Sequence, residues 1–176
     1  MTLAELNPTA VGLQAAQLAA AAMKRLAETL SLPLLPPLDD LEQLDQCDLA
    51  RDVATLTRWA QTGEGTSAAE AYETLTRTKR TLYVSVMGGE LDGFSGADTS
   101  TTLALACATA RLGIVNGEPV TTTDLARLAS VTPARVRQLV TAGEIEGSSG
   151  KRGSTAGTVA AAAAAAWLKA RGLKGW

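Results

Sequence analysis

The run Thr132-Pro133-Ala134-Arg135-Val136-Arg137-Gln138 concentrates the side chains best suited to reading a polyanion. An arginine guanidinium donates in a planar fork that matches guanine O6 and N7, and a glutamine amide pairs with adenine N6 and N7. Thr132, Pro133, Ala134, Arg137 and Gln138 are therefore candidates to meet base edges, with Arg135 a candidate to hold a phosphate. A second basic pair, Lys151-Arg152, stands in the glycine-rich run Gly147 to Gly157. There glycines let the backbone approach a phosphate while the two cations supply charge.

Two short helices are needed to present those residues. Thr121 or Thr122 can cap a first helix, with Leu125, Ala126 and Ala129 on its inner face. Ser130, Val131 and Thr132 break the run. Thr132 is a good second cap, and Pro133 suits the first helical position because its missing N–H is not needed there. In the second helix Val136, Leu139 and Val140 share one side, and Gly143 fits a left-handed stop. Small Ala126 allows close crossing, and Val131 plugs the turn. The outer face of the second helix is left for a major groove.

This stretch resembles the winged helix-turn-helix of the MerR and excisionase-like group. The resemblance rests on Val131-Thr132-Pro133, on Arg137 after Val136, and on Gly143-Glu144-Ile145 leading into a wing. It implies a wing from Ile145 to Ser154 with Lys151 and Arg152 near its tip, and a closing helix ending at Trp167-Leu168. It covers roughly Glu118 to Arg171. Ser130 stands where a turn glycine is common in the wider class, and the unit sits at the C-terminal end of the chain rather than the N-terminal end. A ligand-sensing or metal-sensing regulator is therefore not implied.

Other constellations fail as chemistry. The chain has no histidine. Asp39, Asp40, Glu42, Asp45 and Asp48 read as carboxylates at the start of a helix, where its dipole favours negative charge, not as an acid/base or metal cluster. Cys47 and Cys107 have neither metal nor disulfide spacing, and Cys107 reads as a small buried hydrophobe. Gly150-Lys151 is followed by Arg152 rather than by Ser or Thr, so no phosphate-binding P-loop is formed. Gly88 to Gly96, with four glycines in nine residues, lacks the ligands of a calcium loop. The reading is of no enzyme, no catalytic residue, no metal and no cofactor.

The rest of the chain must support the reader. Of 176 residues 46% are hydrophobic but only 3% aromatic, so the core must be Leu, Val and Ala. Up to Asn116 there are 8 Lys+Arg against 14 Asp+Glu; from Gly117 there are 8 against 4. An acidic body joined to a basic module fits a protein that meets nucleic acid at one end. Helices are expected over Asn7 to Leu30, with Val11, Ala15, Leu18, Ala22, Leu26 and Leu30 on the buried stripe and Met23 beside them. Others are expected over Leu38 to Thr62, Ala68 to Thr81 with Tyr72, Leu75 and Leu82 buried, and up to Leu112 with Leu103, Ala106, Cys107 and Ala110 inside. Leu82 to Met87 is ambiguous, with helix favoured over strand, and Thr158 is expected to cap the alanine-rich last helix, anchored by Trp167. The three prolines of Ser31 to Pro37 make a stiff connector. Neither a signal-type segment nor a membrane span is read, which points to a cytoplasmic protein.

The expected fold is all-α, with a helical region over residues 1–96 for dimerisation or partner binding and a winged helix-turn-helix over residues 97–176. The expected function is sequence-specific binding of double-stranded DNA, as a homodimeric transcriptional regulator. Two alternatives stand beside it. One is an architectural DNA-binding protein of plasmid segregation, recombination or phage assembly, and the other is a helical interaction protein that binds no DNA.

Overall fold

The computed structural model describes residues 1–29, 44, 46–87, 100–148 and 157–176. A 3-10 turn, Leu3–Glu5, precedes α1 (Pro8–Thr29), α2 (Asp48–Thr62), α3 (Ala68–Met87) and α4 (Ser100–Val115). Then come β1 (Val120–Thr121), α5 (Thr122–Leu128), α6 (Pro133–Thr141), β2 (Gly147–Ser148), β3 (Thr158–Val159) and α7 (Ala161–Ala170). The protein is mainly helical, with a small antiparallel sheet in the order β1-β3-β2. Val159 of β3 pairs with both Val120 and Gly147, and Thr158 with Thr121 and Ser148.

Local chemistry explains most helix starts. Asn7 caps α1 by accepting the Ala10 N–H at 3.2 Å, and Pro8 opens the helix. A capping box starts α3: the Glu70 N–H donates to Ser67 Oγ at 3.2 Å, and the Ser67 N–H donates to the Glu70 carboxylate at 2.9 Å. Those hydrogen bonds hold the Glu70 carboxyl below its ordinary range.

Several expectations need correction. The helix expected from Leu38 is interrupted before Asp48: Cys47 is extended and acts as the N-cap of α2, with its sulfur accepting the Ala50 N–H. Asp39, Asp40, Glu42 and Asp45 lie outside the described residues, as does the glycine run Gly88 to Gly96; Asp48 is exposed and pairs with Arg51. The third helix runs on through Leu82 to Met87. Tyr72 does not face the core. It is 54% exposed, because the stripe that packs inward is Ala71, Leu75, Thr78 and Leu82. Thr158 does not cap the last helix but sits in β3, and α7 starts after Ala160 without a capping side chain. Trp167 packs half-buried against the core, beside the fully buried Ala164 and Leu168 of α7.

The alanines of α1 serve contact within the chain. Ala15, Ala16, Ala19 and Ala20 are buried while Met23 is exposed. At Gly12 the helix passes so close to α2 that a Cβ would run into the carbonyl oxygen of Ala50. Gln61 then clamps the N-terminal turn onto α2, donating to the carbonyls of Leu3 at 2.8 Å and Leu6 at 2.9 Å. One hydrophobic core continues from Leu3 through Val53, Leu56, Cys107, Leu125 and Val136 to Leu168. Helix α4 lies within it and packs on α1, α2 and α3 as well as on α5 and α7.

Sequence reading missed the most unusual side chain of α4. Arg111 is 1% exposed. Its guanidinium lies between the rings of Trp59, 5.6 Å from the centroid, and Trp176, at 4.2 Å. It donates to the carbonyl of Ala60 at 3.2 Å and to that of Gly175. Burial pushes its pKa down to about 10, which still leaves it charged at neutral pH.

Two substitutions check this packing. Gly12→Ala should cost about 1–3 kcal/mol in urea unfolding, since the overpacking outweighs alanine's better helix propensity. Arg111→Lys should cost about 2 kcal/mol, because an ammonium cannot stack on two indoles and reach both carbonyls at once.

Candidate nucleic-acid interface

The basic run lies on α6, and its presentation is built from the turn before it. Thr121 caps α5, accepting the Asp124 N–H at 3.0 Å, and Asp124 pairs with Arg127 at 3.1 Å. Leu125, Ala126 and Leu128 of α5 are buried. After Leu128 the chain reverses at Ser130, whose φ of 54° is left-handed. The Ser130 N–H donates to the Arg127 carbonyl at 3.2 Å, and the Val131 N–H to the Ala126 carbonyl at 2.9 Å. This pair of bonds satisfies carbonyls that the helix end would otherwise orphan. Val131, half-buried, packs against the core below the turn. Ser130 therefore occupies the backbone conformation that a turn glycine would take without strain.

Thr132 then caps α6, accepting the Arg135 N–H at 3.2 Å, with Pro133 at the first helical position. Val136, Leu139 and Val140 are buried. At about 100° per residue, Ala134, Gln138 and Thr141 point directly away from that buried side, with Arg135 on one flank and Arg137 on the other. All five are exposed, as is Thr132, while Pro133 is half-buried. Thr141 was not singled out from the sequence; its spacing of seven from Ala134 is the signal that places it on this stripe.

The exit is equally defined. Gly143 is left-handed at φ 75°. Its N–H donates to the Val140 carbonyl at 3.1 Å, and the Glu144 N–H to the Leu139 carbonyl at 2.9 Å. Buried Ile145 then leads into β2, and β3 returns beside it to α7. Gly147 is needed at this crossing because a Cβ there would meet the Thr158 carbonyl. Lys151 and Arg152, in the connection between β2 and β3, lie outside the described residues.

Charge on α6 is available for a partner. Among the described residues neither Arg135 nor Arg137 forms an ion pair, whereas Arg127 and Arg77 are each held by an aspartate. Exposed Glu144 and Glu146 lie past the end of α6, so the cationic face ends with the helix. Cys107 is fully buried, and burial pushes its thiol up to about 12, away from the thiolate a nucleophile requires. Among the described residues no three His, Cys, Asp or Glu side chains cluster as metal ligands, and no helix is long and apolar enough to cross a membrane.

Comparison with known proteins adds no relative: no family model, no curated protein and no solved structure matches the chain.

Ser130→Gly tests the turn. It should raise stability in urea unfolding by about 0.5–1 kcal/mol, the left-handed strain relieved being partly offset by the freer unfolded chain.

Proposed function

We propose that α5, the Ser130 turn, α6 and the β2–β3 hairpin form a winged helix-turn-helix, and that the protein is a sequence-specific binder of double-stranded DNA acting as a transcriptional regulator. In this reading residues 97–176 are the reader, residues 1–96 its helical support, and the cytoplasm its place of action. One observation carries it: α6 buries Val136, Leu139 and Val140 and turns outward a stripe of Gln138 and Thr141 flanked by two arginines that form no ion pair among the described residues. Any solvated helix face is polar, but this one sets an amide between two guanidiniums that meet no carboxylate among the described residues. A helix in a major groove needs such a set.

The division of labour follows from position and chemistry. Gln138 at the centre meets base edges with Arg137 beside it, while Thr132, Pro133 and Ala134 lie at the end of α6 that enters the groove. Arg135 on the opposite flank meets phosphate, joined by Lys151 and Arg152 of the wing. The acidic N-terminal region limits indiscriminate adhesion to nucleic acid.

Selection from random duplexes by gel shift, at low and moderate salt, tests the proposal. A defined motif is expected. Arg137→Ala should lose about 1–3 kcal/mol of preference at particular base pairs. Arg135→Ala should weaken all sequences alike and reduce the slope of log affinity against log salt by about 1. Failure of the folded protein to bind any duplex at low salt would refute the proposal.

A further inference from the structure

A module this small reads few base pairs, and a second copy would double the site. The alanine stripe of α1 is already spent against α2 inside the chain, so it leaves no face for that copy. The outer face of α3 is different. Ala71, Leu75, Thr78 and Leu82 bury one side, and at 100° per residue the stripe directly opposite is Ala69, Glu73, Thr76 and Arg80, all exposed. Tyr72, 54% exposed, borders it. A groove of about 730 Å³ runs from Tyr72 and Glu73 to Leu112 of α4 and Asn116 just after it, and exposed Val115 lies at that end of α4.

The charges on this face are sorted. Glu70 is engaged in the α3 cap and Arg77 in a bidentate pair with Asp52, at 2.7 and 2.8 Å. Glu73 and Arg80 form no ion pair among the described residues. They sit seven residues apart, two helical turns or about 10.5 Å along the axis. An acid and a base placed symmetrically about a point between Thr76 and Arg77 make the stripe complementary to itself when reversed. In an antiparallel pairing Glu73 of one copy meets Arg80 of the other, twice, about a two-fold axis.

We propose that α3 is the homodimer interface of this protein, with two symmetric Glu73–Arg80 pairs setting its antiparallel register and Tyr72 packing at its edge. A second copy of the same stripe, reversed, answers both charges at once. A single helix face makes a small interface, so association belongs at micromolar rather than nanomolar concentration. The inference supplies the second copy for the DNA reading and rests on that reading for its purpose. Its test uses no DNA, so the two can fail separately.

Analytical ultracentrifugation of the full chain over a concentration series decides it. The wild type should show a monomer–dimer equilibrium. Glu73→Arg and Arg80→Glu each place like charges opposite one another and should each be monomeric. An equimolar mixture of those two variants should dimerise again, since one copy then carries only bases on the stripe and the other only acids. The double variant Glu73→Arg/Arg80→Glu, which restores the register within one chain, should dimerise as the wild type does. Both residues are exposed, so folding is checked by circular dichroism and should be unchanged. A wild type that stays monomeric throughout, single variants that remain dimeric, or a mixture that fails to reassociate would each overturn the proposal.

Discussion

Helix α4 carries a full positive charge into the interior, and among the described residues no carboxylate meets it. Arg111 is held instead by peptide carbonyls and two indole faces, a set of partners that neutralises its cost only if all are in place at once. Those partners come from the end of α2 and from the segment after α7, which are far apart in sequence. Gly63 and Gly175 approach the guanidinium so closely that a Cβ at either would strike it. The end of α2, the middle of α4 and the last residues are thereby fixed to one another. Removing any one of them leaves a buried cation under-solvated, which penalises partial opening of the structure.

That constraint bears on function through α4, because α5 and α7 pack on the same helix that Arg111 anchors. The consequence is a rigid seat for the α5–α6 pair. Thr121 and Thr132 then set where α5 and α6 start, each hydroxyl accepting a backbone N–H, and backbone bonds at Ser130 and Gly143 set the turn and the stop. A recognition surface gains from such fixing, since side chains ordered before contact lose less entropy on binding.

Much of this was legible in the sequence where the signal is local. The caps at Asn7, Thr121 and Thr132, the proline at 133 and the stop at Gly143 are short-range chemistry, and each stands where its residue type placed it. The inner and outer faces of α6 followed from periodicity alone. What depended on tertiary context was not legible. Tyr72 reads as a core residue by type, yet its place on the turn of α3 points it outward. Thr158 reads as a helix cap, yet β1 and β2 recruit it into a strand, and two-residue strands carry no periodicity to recognise. Nothing in the sequence around Arg111 announces Trp59 or Trp176. The alanines of α1 are small enough for close helix approach, but which helix they approach emerges only in the fold, where Gly12 meets Ala50.

DNA that binds as proposed lies against the outer face of α6, and NMR can map that face residue by residue. Amide resonances of the isotope-labelled full chain, followed by NMR while duplex DNA is added at low salt, would show which residues sense it. The largest shifts are expected from Thr132 to Thr141, with the Trp59–Arg111 region unmoved. Shifts confined to α1 and α2, or no shifts at any ratio of DNA to protein, would contradict it.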